Sequence, residues 1–142
     1  MEIGRKKKGA SIIFVNTSCQ VLLLLRDDTK EIPFPNCWDV PGGRVEEGET
    51  PEECIHREMR EELEIEIDHP RLFHVYDLDD RLEHTFWQHA ELDIAALQLH
   101  EGQRVQWFSE DDIERLPGDQ IAFNFKPVLR DFYRERPWAR FT

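Results

Sequence analysis

The chain has 142 residues, 39% of them apolar and 11% aromatic, and a formal net charge of −12. That length suits one domain over residues 1–142 with a core that needs no disulfide or metal staple, and the composition excludes a disordered chain. A field of that sign repels a nucleic-acid backbone, so no polymeric DNA or RNA partner is expected, whereas a small phosphorylated ligand remains compatible when a cation screens it.

The first residues, MEIGRKKKGA, are basic, and no signal-peptide apolar core follows them. Residues 1–9 are expected as a flexible basic terminus, with Lys6, Lys7 and Lys8 as a loose tail. Residues 10–15 (ASIIFV) and 21–25 (VLLLL) read as two buried strands joined by a turn over residues 16–19. The second is the longest apolar run, far short of the roughly 20 residues a membrane span needs. A cytoplasmic protein with no membrane partner follows. Cys19, Cys37 and Cys54 are odd in number and lack CxxC spacing, which argues for free thiols over disulfides or zinc.

Residues 27–36 form a polar, proline-broken loop, and residues 37–40 a short strand entering the turn Pro41-Gly42-Gly43. A helix follows. Thr50 is its N-cap, Pro51 suits its first position, and Glu53 completes a capping box. Ile55, Met59 and Leu63 recur at i, i+4 and i+8 as its apolar stripe. Residues 71–78 and 84–92 read as paired strands around a polar turn at 79–83, and 104–108 as another strand. Ser109 caps a short helix at 110–116. A final helix from about residue 126 to 135 buries Val128, Leu129, Phe132 and Tyr133. A mixed sheet flanked by helices accounts for this order. The oligomeric state, monomer or homodimer, stays open.

Glutamates crowd residues 46–62, and by composition alone such a run is a solvated face. The spacing says more. Glu58, Glu61 and Glu62 stand at i, i+3 and i+4, so their carboxylates converge on a surface away from the apolar stripe. Like charges so placed repel, and a cation reverses that term. Hard oxygen donors suit Mg²⁺, with Mn²⁺ as a substitute. Arg57 is placed to pair with Glu49 or Glu61 and hold the loop to the helix. Gly42 and Gly43 permit close backbone approach to a metal.

The segment GGRVEEGETPEECIHREMREELEI resembles the Nudix box, GX5EX7REUXEEXGU with U aliphatic. Read from Gly43, the register gives Glu49, Arg57-Glu58, Met59, Glu61-Glu62 and Ile65. The family has glycine where this chain has Glu64, so the helix exit is expected to cost roughly 1 kcal/mol or to differ. The resemblance implies an α+β Nudix fold, an α/β/α sandwich with a mixed β-sheet between helices. It implies Gly43 (through its carbonyl), Glu58, Glu61 and Glu62 as metal ligands, and Glu58 or a neighbour as general base. Glu49 and Arg57 become a structural pair, and Gly42 supports the site. The implied reaction is attack of water on a diphosphate phosphorus.

LHEGQRVQWF, residues 99–108, is similar to the MutT-type stretch in which a glutamate before a tryptophan strand joins the active site, here Glu101. A plain loop glutamate is the alternative. MutT-type proteins also place a purine-reading asparagine near the position of Asn124, whose other reading is a helix cap. Phe34 and Phe123 lie in loops and are candidates for stacking on a base. Trp38, Phe73, Trp87 and Trp107 are expected as core. The expected substrate is a small nucleotide, a (d)NTP cleaved to a monophosphate and pyrophosphate. The alternatives are a nucleotide sugar or other nucleotide-linked diphosphate, a non-catalytic nucleotide-binding module, and an isomerase relying on a cysteine such as Cys37.

Overall fold

The computed structural model describes residues 6–140. Strands β1 (Lys7–Val15) and β2 (Val21–Leu25) are followed by short strands β3 (Trp38–Asp39) and β4 (Gly42–Arg44). Helix α1 (Pro51–Leu63) precedes β5 (Arg71–Asp77), β6 (Arg81–His89) and β7 (Arg104–Phe108). Helices α2 (Glu110–Arg115) and α3 (Phe125–Glu135) close the order.

Among the described residues these strands form one mixed sheet, ordered β3-β2-β1-β6-β5, with β4 also paired to β1 and β7 to β2. β1 and β6 run parallel over nine residues, from Lys7 opposite Arg81 to Val15 opposite His89. The other pairings are antiparallel. That parallel ladder corrects one expectation. Lys7 and Lys8 belong to β1, because pairing with β6 recruits residues whose own composition reads as a tail. Lys6 precedes the strand, and residues 1–5 of that expected tail lie outside the described residues.

Period-two alternation along β1 divides the core between two faces. Ala10, Ile12 and Phe14 pack with Cys54, Ile55, Met59 and Leu63 of α1. Ile13 and Val15 pack with Val128, Leu129 and Phe132 of α3. The result is the expected sandwich of helices on both sides of a sheet. Trp38 and Trp87 are buried as anticipated, and Phe73 packs edge-on against Phe132 at 5.3 Å between centroids. Trp107 is only partly buried, its Nε1 donating to the Leu92 carbonyl at 3.3 Å. No helix among the described residues is long and apolar enough to cross a membrane.

The helix signals act as their chemistry predicts. The Thr50 hydroxyl accepts from the Glu53 amide at 3.1 Å, and the Glu53 carboxylate accepts from the Thr50 amide at 2.8 Å. At the other end Glu64 takes the left-handed conformation, φ 53° and ψ 42°. Its amide donates to the Arg60 carbonyl, and the Ile65 amide reaches Met59. This is the glycine-type helix exit made by a glutamate, at a cost of about 1 kcal/mol. The Glu64 carboxylate bonds the His100 ring, and the His100 amide donates to the Glu62 carbonyl at 2.8 Å, so the 100–103 loop docks on the end of α1.

Candidate active site

Two glycines let the sheet and α1 come together. A side chain at Gly42 would strike the backbone of Ala10, and one at Gly43 would strike the Glu58 carboxyl. β4 therefore brings its backbone against the acidic face of α1, as close approach to a carboxylate demands.

Arg57 organises that face. Its Nε and Nη2 donate to the two oxygens of Glu49 at 2.7 and 3.0 Å. Nη1 donates to Glu58 at 2.8 Å and to Glu61 at 3.2 Å, and Nη2 also reaches the Arg44 carbonyl at 3.1 Å. One planar guanidinium thus ties β4, the preceding loop and α1 together, a fork geometry that an ammonium does not offer. Glu49 also accepts from the Glu46 amide at 3.0 Å. The Arg57 bond, with that amide, holds the Glu49 carboxyl down at about 2.

Glu62 is the buried member of the set. Burial pushes its carboxyl well up, and the Glu58 carboxylate beside it adds to the rise, with Glu101 and Asp39 contributing. Burial raises Glu58 as well, against the bonds from Glu62 and Arg57. Glu61 and Glu101 are exposed at the rim. Glu58, Glu61, Glu62 and Glu101 line one cleft of about 490 Å³, together with Gly43 and Arg57. Spacing along α1 foretold the first three. Glu101 joins them because Gln103 pins its loop from the other side, donating through its amide to Leu25 at 2.8 Å and through its side chain to Arg26 at 2.7 Å.

The cleft shares a wall with a second cavity of about 580 Å³ between the sheet and the start of α3. Arg26, Asp39, Val40 and residues 42–44 line both. Sequence reasoning singled out neither Arg26 nor Asp39. Arg26 donates to Asp39 at 3.0 Å, while burial pushes the Asp39 carboxyl up to about 6. The only signal was an acid immediately before the Val40-Pro41 turn entry, and its meaning depends on β2 and β3 pairing.

The family model described as NUDIX domain matches residues 5–130. The chain belongs to the Nudix family. It is 32% identical to the ADP-ribose pyrophosphatase of Methanocaldococcus jannaschii, over 81% of this chain and 66% of that protein. It is 39% identical to an RNA pyrophosphohydrolase of Helicobacter pylori, over 49% of this chain and 44% of that protein. The chain thus spans less than two thirds of the length of these curated relatives. In fold it resembles the MutT protein of Methanosarcina mazei, with a TM-score of 0.74, 21% identity, and coverage of 96% of this chain and 99% of that one.

The box residues Gly43, Arg57, Glu58, Glu61 and Glu62 therefore line one cleft, whereas the residues expected to recognise a base do not line a common cavity. Phe123 lines the second cavity, but its ring carries the guanidinia of Arg26 and Arg81 at 5.1 and 5.2 Å. Phe34 packs on Phe123 at 4.7 Å and lines neither cavity. Asn124 precedes α3, is exposed, lines neither cavity, and makes no side-chain cap bond. Cys37 likewise lines neither, and burial raises its thiol, which disfavours the nucleophilic thiolate.

Among the described residues no three His, Cys, Asp or Glu side chains stand in a metal-holding group. Arg57 accounts for this, since Glu58 and Glu61 turn to its Nη1. The donor set still fits a hard divalent cation. It is all oxygen, partly withdrawn from water, and packed against a Gly43 backbone that any side chain would block.

Proposed function

We propose that this chain is a Mg²⁺-dependent hydrolase of nucleoside diphosphate linkages, with a (d)NTP cleaved to a monophosphate and pyrophosphate as the leading substrate class. The observation that carries it is the meeting of Glu58, Glu61, Glu62 and Glu101 in one cleft that shares a wall with a cavity large enough for a nucleoside. Glu58, Glu61, Glu62 and the Gly43 carbonyl would hold Mg²⁺ or Mn²⁺. When bound, the cation neutralises phosphate charge and polarises the phosphorus under attack.

The chain supplies the rest. Arg57, locked on Glu49, fixes the rotamers of Glu58 and Glu61. Glu58 or Glu101 accepts the proton of the attacking water. Glu62 holds its carboxyl at the buried end of the cleft. The neighbouring cavity orients the nucleoside, so the phosphorus meets a water already placed. The 32% identical ADP-ribose pyrophosphatase favours a second reading, in which the group beyond the diphosphate is a sugar rather than phosphate.

A panel of nucleotides and nucleotide sugars, scored with Mg²⁺ and with Mn²⁺ for monophosphate and pyrophosphate release, tests this function. Glu58→Gln and Glu62→Gln should each lower kcat by about 10²–10⁴ on any substrate found. Full Mg²⁺-dependent turnover in both variants would remove the assignment. Binding without turnover across the panel would mark a nucleotide-binding module instead.

A further inference from the structure

We propose that the cavity on the α3 side receives a second phosphoryl group, carried on the sugar of the substrate's nucleoside half. The proposal rests on the reading of the acidic cleft as the diphosphate-cleaving centre, and it names what the other half of that substrate carries.

Six basic residues line this cavity, Lys6, Lys7, Lys8, Arg26, Arg44 and Arg81, against three acids, Asp39, Asp80 and Glu83. The excess is positive in a chain of net charge −12. Ion pairing then sorts the six. Arg26 is engaged by Asp39 at 3.0 Å. Arg81 is engaged by Glu83 at 2.6 Å and by Asp80 at 3.0 Å. Lys6 donates to Asp77 and to the Leu78 carbonyl at 2.6 Å. Among the described residues, the side chains of Lys7, Lys8 and Arg44 have no hydrogen-bond or ion-pair partner.

Strand register puts two of these three on the same wall. Gly9 stands opposite Arg44 on one side and Glu83 on the other. Lys7, two residues before Gly9, points to the same face of the sheet as Ser11, which bonds the buried Thr85 at 3.1 Å. A Cβ on Gly9 would come within 2.6 Å of the Glu83 carboxylate, so the missing side chain leaves room for the Arg81–Glu83 pair as the floor. Lys7 and Arg44 rise on either side of it.

A neutral base and sugar require stacking and a few hydrogen bonds, not uncompensated cations. The diphosphate itself belongs to the other cleft. Cations left over beside a nucleoside-sized space match a phosphate on the sugar, where charge-assisted bonds to a guanidinium and an ammonium are strongest. A 2′- or 3′-phosphate monoester and the first phosphodiester of an oligonucleotide both offer that chemistry.

The binding test does not need turnover. Titration calorimetry with the whole chain compares adenosine 5′-monophosphate with adenosine 3′,5′- and 2′,5′-bisphosphate. At least one bisphosphate should bind about tenfold more tightly, with the gain shrinking as salt rises. In the double variant Lys7→Gln/Arg44→Gln that gain should vanish. Equal binding of mono- and bisphosphates, or a gain that survives in the double variant, overturns the proposal.

In turnover with Mg²⁺, ADP-ribose is compared with its 2′-phosphate, and ATP with a 5′-triphosphorylated dinucleotide. The extra phosphate should raise kcat/KM by a similar factor. A gain from the monoester alone names a phosphorylated mononucleotide, and a gain from the dinucleotide names an oligonucleotide end. A bisphosphate preference with no diphosphate cleaved would leave this cavity assigned and discard the hydrolase reading.

Discussion

On the α1 side of β1, five glutamates line the cleft, and two of them, Glu58 and Glu61, turn to one guanidinium, Arg57. On the α3 side, basic residues outnumber acidic ones two to one, and each buried acid already has its arginine. A glycine stands at the heart of each region, and the two lie almost side by side in the sheet. Gly43, opposite Ala10, makes room for the Glu58 carboxyl, and Gly9, opposite Arg44, makes room for Glu83. The acidic side stores repulsion that an added cation relieves. The other is self-neutralised at its floor and has cation to spare at its rim. A diphosphate ester with a charged sugar would bridge the two.

Adding one methyl group at each glycine should break the two sides differently. Gly43→Ala pushes Glu58 off its position beside Arg57, so kcat should fall about 100-fold or more. The displaced carboxylate can swing toward the cleft, so the melting temperature should change little. Gly9→Ala drives a methyl group to within 2.6 Å of the buried Glu83 carboxylate and strains its pairing with Arg81. It should destabilise the fold by about 2 kcal/mol, read as a lower denaturant midpoint. A Gly43→Ala variant of undiminished activity would show that Glu58 needs no close backbone partner.

Acid titration separates Glu49 from Asp39, whose carboxyls move in opposite senses. The Arg57 bond holds Glu49 low, at about 2. The folded state therefore binds fewer protons than the unfolded one below the ordinary glutamate range. Stability from Glu49 is complete above about pH 4.5 and is lost as the pH falls toward 2. Asp39 is raised by burial to about 6. The folded state then holds the extra proton, so stability declines as the pH rises from about 4 to 6. Denaturant midpoints measured from pH 2.5 to 7 should lose the acid-side fall in Glu49→Gln and the mid-range decline in Asp39→Asn. An Asp39→Asn curve parallel to the parent's would show that Arg26 fully compensates the buried charge.

The same contrast explains what was legible in the sequence. The acidic site lies within one segment. Helix periodicity sets Glu58, Glu61 and Glu62, and the Thr50–Glu53 box fixes where the period starts. Glu101 was the exception, reachable only by likeness to a family pattern, since its place depends on His100 and Gln103 docking to α1 and β2. The cationic cavity has no local signature. Lys7, Gly9, Arg81 and Glu83 meet through a parallel ladder between strands more than 60 residues apart, and the sequence around Lys7 reads as a tail. Asn124 was singled out by likeness to MutT-type proteins, and Phe34 by its place in a loop. The turn of α3 leaves Asn124 in solvent, and Phe34 spends its face on Phe123.

Glu64 ties one region to the other and carries the smallest predicted effect. It holds a left-handed conformation that glycine would adopt without strain, at a cost of about 1 kcal/mol. In return its carboxylate meets His100, the residue before Glu101. That pair is half exposed on both sides, so screening limits it to a few tenths of a kcal/mol. Glu64→Gly should therefore stabilise the fold by about 0.5 kcal/mol, raising the melting temperature by about 1–2 °C. If the His100 contact matters for placing Glu101, kcat should drop modestly while stability rises. A stability gain with unchanged kcat would show that the His100 amide bond to Glu62 alone holds the Glu101 loop against the acidic cleft.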